Sequence, residues 1–285
     1  MKTKTIILVL AMSLLSWLTA GAQSLESLTR EQAREIVHMM TKQIKSQREA
    51  ISNSVGDKFG TEISTMDMDV DGDSVMVISY VIPGYEGCNT REGRALAELG
   101  LAVGGRDMGT DATLMVCDLL DKAEYNIRAV YTDGKKNTVI LHITPARLRK
   151  LWTSPLREAG IDRELALKGL EEQVQKSAKM IPCSEGIKNH RFGINGNWLE
   201  YVMEYENPDF SAAAMLPEFR EVMNEAKGEI VDEFVQDSTM GMFIKILTGA
   251  SDFLGVEGMK VKAVGSDGKE YTAFTVTWDE LQSGN

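Results

Sequence analysis

The chain has 285 residues, with 31 Lys and Arg against 42 Asp and Glu and a formal net charge of −11. So acidic a chain excludes binding to nucleic acid or anionic lipid through bulk electrostatics. Its hydrophobic content of 43% is that of a folded protein, and its length suits one large or two modest domains.

The N-terminus carries the zones of a secretory signal in order: Lys2 and Lys4, an apolar run from Ile6 to Leu18, then Ala20-Gly21-Ala22. Small residues at 20 and 22 fit a signal peptidase, so residues 1–22 read as a signal peptide cleaved before Gln23. The run is shorter than the roughly 20 residues needed to cross a bilayer, and no later stretch is long and apolar enough. The expected location is therefore outside the cytoplasm, periplasmic or secreted, with no membrane span after cleavage.

Thr29 followed by Gln32 reads as a capping box, with Ala33, Ile36, Val37, Met40 and Ile44 then recurring at helical spacing. Asp71-Gly72-Asp73, followed by Val75, Val77, Ile78 and Tyr80, predicts a hairpin with a type I′ turn. Residues 94–103 and 111–123 read as helical, with Gly104-Gly105 as a break. Ile127 to Val130, Thr132-Asp133-Gly134-Lys135 and Val139 to Ile143 predict a second hairpin.

The same order then recurs. After a link at 151–160 containing Ser154-Pro155, Asp162 caps a helix through Leu165, Leu170, Val174, Ala178 and Ile181. Asn195-Gly196-Asn197 matches the first turn, and residues 217–247 read as helical with a bend at Gly228. Val261 to Val264, Ser266-Asp267-Gly268-Lys269 and Ala273 to Thr277 match the second hairpin. The expected fold class is α+β: two tandem copies of a helix–hairpin–helical segment–hairpin module, at 23–150 and 161–285. Each is a mostly antiparallel four-stranded sheet with helices on one face.

Asp67, Asp69, Asp71, Gly72 and Asp73 resemble the opening of an EF-hand loop, whose alternating oxygens suit calcium. The position for a bidentate Glu is Ile78, however, and strands rather than helices flank the string. A strand with Met66, Met68 and Val70 on one face and the acids on the other accounts for the spacing without metal. No cofactor is expected, with calcium at Asp67, Asp69, Asp71 and Asp73 as the alternative.

Cys88, Cys117 and Cys183 form no Cys-x-x-Cys or zinc pattern, and Cys117 reads as a buried thiol. A Cys88–Cys117 bridge stays open. His38, His142 and His190 are the only histidines; His142 aligns with Val276 in the second copy, which predicts packing. Ser266-x-x-Lys269 matches a nucleophile pattern, but in a turn rather than at a helix start. Gly104 to Thr110 is glycine-rich but lacks the Walker lysine.

Trp198 shares an outward strand face with Glu200, which makes it a candidate for partner contact. Met240, Met242 and Phe243 suit either a core or an adaptable binding groove. A duplicated module without a catalytic constellation fits recognition, so the expected function is an exported non-enzymatic binding or interaction protein. Its partner would be a protein or a small apolar ligand. A hydrolase with dispersed residues is the alternative, and calcium binding a further one.

Overall fold

A computed structural model describes residues 25–49, 65–72, 74–82, 85, 87–106, 110–178, 183, 186–206, 221, 224, 225, 227, 228 and 240–283. The signal segment, Asp73 and most of 217–239 lie outside the described residues. The chain divides into two compact units, Met1–Ala166 and Leu167–Asn285.

In the first unit, helix α1 (Arg30–Ser46) opens on the expected capping box. Thr29 Oγ1 accepts the Gln32 N–H at 3.2 Å, and Gln32 Oε1 accepts the Thr29 N–H at 2.8 Å. Strands β1 (Thr65–Asp71) and β2 (Val75–Val81) form an antiparallel hairpin. Helices α2 (Arg91–Arg106) and α3 (Thr110–Ala123) then carry the chain to β3 (Asn126–Thr132), which runs parallel to β2. A parallel neighbour cannot be reached by a tight turn, so this helical crossover is obligatory. Strand β4 (Thr138–Ile143) returns antiparallel, and α4 (Pro145–Thr153) follows. The sheet order is β1-β2-β3-β4.

Strand alternation decides the core. Met68, Met76, Ile127, Ala129, Leu141 and Ile143 share one face and are buried with Val37 and Ile44 of α1, Leu119 and Leu120 of α3 and Leu148 of α4. The opposite face carries Asp69, Val77, Arg128 and His142 in a row across the four strands. Residues 151–160, expected as a link, comprise the end of α4 and a turn, and helix α5 (Arg163–Ala178) starts before the boundary between the units. The Asp162 cap is present: its carboxylate accepts the Leu165 N–H at 3.1 Å.

The second unit repeats the topology. Strands β5 (Ile187–Asn195), β6 (Trp198–Tyr205), β7 (Gly258–Val264) and β8 (Glu270–Thr277) lie in that order, with β6 and β7 parallel and the outer pairs antiparallel. Helices α6 (Met240–Gly249) and α7 (Ser251–Leu254) precede β7, and α8 (Trp278–Ser283) follows β8. Leu199, Tyr201, Met259, Val261, Phe274 and Val276 fill its core. The fold is therefore α+β, with two four-stranded, mostly antiparallel sheets in tandem along the chain.

Four details differ from the expectations or decide what they left open. The Asn195↔Trp198 pair encloses Gly196-Asn197, and only Gly196 has positive φ (58°), so that turn is not type I′. Gly104 and Gly105 do not break the chain but lie in the last turn of α2. Gly105 is buried because the Trp152 indole packs on it, held by an Nε1–H bond to the Leu101 carbonyl at 3.0 Å. The Cys88–Cys117 bridge that the sequence left open is not formed, and Cys183 is in no disulfide either.

The fourth concerns the repeat itself. The loop closed by Thr132↔Thr138 has Asp133-Gly134 at its start, whereas the loop closed by Val264↔Glu270 has Asp267-Gly268 near its end. The matching strings are thus out of step with the ladder, and a bulge between Val261 and Lys262 shifts the second copy by one more residue. Thr144 and Thr277 occupy equivalent places, each accepting the N–H three residues on, at 3.2 and 3.3 Å. Counting back from these caps, His142 corresponds to Thr275 rather than Val276, and both are exposed. His142 is not a packing residue.

Gly105→Ala separates local preference from packing. Helix propensity alone would stabilise the protein by up to about 1 kcal/mol, but the new Cβ would overlap the Trp152 ring. A net loss of about 1–3 kcal/mol is expected from urea unfolding; a gain would mean that the indole does not seat there.

Candidate functional site: a groove beside the β4 edge

Strand β4 ends the first sheet, and among the described residues no strand pairs with its outer side. The Ile140 N–H points outward, to Asn89 Oδ1 at 3.4 Å. Because backbone direction alternates along an antiparallel strand, the amide of His142 also points outward, while Leu141 and Ile143 bond to β3.

Helix α2 forms one wall of the groove. Its start is set by Thr90, whose Oγ1 accepts the Gly93 N–H at 3.0 Å. Arg91 and Arg94, three residues apart, share a helix face that lines the groove. The other wall, Gly160, Asp162 and Leu165, is tied to α2 by Arg147, whose Nε donates to Glu98 at 2.8 Å. Its two terminal nitrogens donate to the carbonyls of Ala159 and Gly160. Gly160 has φ +75°, which turns the chain toward Asp162 and Leu165 on the same wall.

The resulting groove has a volume of about 620 Å³. Its acids are engaged, Glu98 by Arg147 and Asp162 by the α5 cap. Arg91 and Arg94 are exposed and have no ion pair among the described residues. Among the described residues, two guanidiniums without an ion pair thus lie beside an unpaired strand edge.

The sequence-predicted candidates lie elsewhere. Asp67, Asp69 and Asp71 alternate along β1, and each meets its own cation: Arg48 at 3.5 Å, Lys45 at 2.9 Å and Arg128 at 2.6 Å. The Lys45 hydrogen bond, helped by the Val70 N–H, holds the Asp69 carboxyl below its usual range. Asp73 lies outside the described residues; among the rest, no three His, Cys, Asp or Glu are placed to share a metal. Trp198 is half-buried, with the Lys260 ammonium 5.1 Å from its ring centroid. Phe243 is buried in the core; the side chains of Met240 and Met242 lie outside the described residues.

His38 contacts the Tyr125 hydroxyl at 3.3 Å, and His190, buried, contacts that of Tyr201 at 3.4 Å. Ser266 to Lys269 is a turn, as expected: Asp267 accepts the Lys269 N–H at 3.1 Å, as Asp133 accepts that of Lys135 at 2.8 Å. Sequence reasoning missed the groove because its residues come from three distant segments. The one local signal was Asn89-Thr90-Arg91 with Arg94, a cap followed by cations in an acidic chain.

Two measurements check the fate of the aspartate string. Calcium titrated to millimolar concentration should give no saturable heat; a saturable isotherm abolished by Asp71→Asn would make the string a calcium site. Asp69 has a depressed folded pKa, so the stability it contributes is present above the unfolded carboxylate value and is lost as pH falls through the folded one. Asp69→Asn should therefore lower the urea midpoint slightly at pH 6 and converge with wild type in acid; equal midpoints at both pH values would deny the Lys45 pair any role. Compared with family models, curated proteins and solved structures, the chain finds no match.

Proposed function

We propose that the chain is exported by cleavage after Ala22 and that its mature form is a non-enzymatic binding protein, which takes its partner in the groove beside β4. The observation that carries this reading is the meeting of an open strand edge with Arg91 and Arg94 in one groove. At about 620 Å³ it is an open groove rather than an enclosed cavity.

The lining favours recognition over chemistry. It contains no Ser, Thr or Cys among the described residues; Glu98 is paired with Arg147, and one oxygen of Asp162 caps α5. His142 therefore has no hydroxyl or thiol among the described lining residues to activate as a nucleophile.

Expression of the full chain in an exporting bacterium should yield a periplasmic or secreted product beginning at Gln23, read by N-terminal sequencing; an uncleaved cytoplasmic product would contradict export. Incubated with peptide and small-molecule libraries, the mature protein should retain ligands that mass spectrometry recovers chemically unchanged. Steady accumulation of a cleaved product would replace binding with catalysis.

A further inference from the structure

We infer that the partner is an extended peptide segment that adds to the outer side of β4 as a further strand, with acidic side chains toward α2. This inference rests on the groove reading above and names the occupant.

The edge itself selects an extended chain. Ile140 and His142 direct their backbone groups outward, and the acceptor now facing the Ile140 N–H is a side-chain amide at 3.4 Å. A peptide carbonyl that adds to β4 would replace that acceptor and keep the Ile140 N–H bonded. Strand addition supplies affinity through main-chain bonds and specificity through alternate side chains. Successive side chains of an added strand point to opposite faces. One set would lie beside Ile140 and His142 on the open face, and the other beside Arg91 and Arg94 on the α2 side.

Charge then chooses the side chains. Both arginines lack an ion pair among the described residues, whereas Glu98 is paired with Arg147; Asp162 spends one oxygen on the α5 cap, so the arginines outnumber the one carboxylate left without a cation. Carboxylates are the natural partners of such a pair. The acidity of the mature chain, −13 once Lys2 and Lys4 are gone (29 − 42), does not override this at physiological salt, where a Debye length of about 8 Å screens distant acids. A second copy pairing β4 to β4 would bring the same cations together and is disfavoured on that ground.

The test uses the mature chain, residues 23–285, and labelled hexapeptides read by fluorescence anisotropy. A hexapeptide alternating valine and glutamate should bind at least tenfold more tightly than one alternating valine and lysine. Arg94→Glu, at an exposed position, leaves the two positions with no net charge and should abolish that preference, and the Arg91→Glu, Arg94→Glu double variant should reverse it. N-methylation should weaken binding at every second peptide amide only, a signature that needs no variant of the protein. Equal binding of the two peptides, insensitivity to methylation or concentration-dependent dimers by light scattering would overturn the inference. If neither hexapeptide binds but another ligand class perturbs the β4 amides, the peptide inference falls and the groove reading stands. If no ligand perturbs them, both fall.

Discussion

The Arg147 guanidinium is the joint on which the groove depends. Its helix begins directly after β4, and its backbone N–H is the donor that the Thr144 cap accepts. Its side chain then reaches α2 through Glu98 and the following turn through the carbonyls of Ala159 and Gly160. One residue therefore fixes the end of the edge strand, the helical wall and the turn that closes the far side. The Arg147 and Glu98 side chains are only 26% and 23% exposed, so the pair is shielded from full solvent screening. Breaking it from either side would strand a partly desolvated charge.

The groove is also a consequence of topology. A parallel joint between β2 and β3 demands a crossover, and in the first unit that crossover supplies α2, which lies along β4. An edge strand with unpaired backbone is a liability unless it is covered or charged. Beside β4, among the described residues, the Asn89 side-chain amide meets the Ile140 N–H and the charge is Arg91 and Arg94. The β1 edge is managed differently, by three aspartates paired with Lys45, Arg48 and Arg128. In the second unit β8 has the same place as β4, but exposed Thr275 stands where His142 does.

Much of this was readable in the residues themselves, and what was not has identifiable causes. The caps at Thr29 and Asp162, the alternation of Met66 to Asp71 and the repeated order of elements are local signals, and they stand. The alignment of the two copies failed at His142 because one β-bulge and two differently placed Asp-Gly turns break the count between similar strings. Gly105 looked like a helix breaker because its role depends on Trp152, far along the chain. The groove escaped for the same reason: Arg94, His142 and Asp162 converge only through tertiary contacts, which no periodicity announces.

The most direct test of the account is residue-resolved amide hydrogen exchange on β4 in the unliganded mature protein. If the edge is open, the His142 amide should exchange fast while those of Leu141 and Ile143, bonded to β3, stay protected. Equal protection of His142 and its neighbours would mean that the edge is already covered, and the groove would lose its claim to be a binding site.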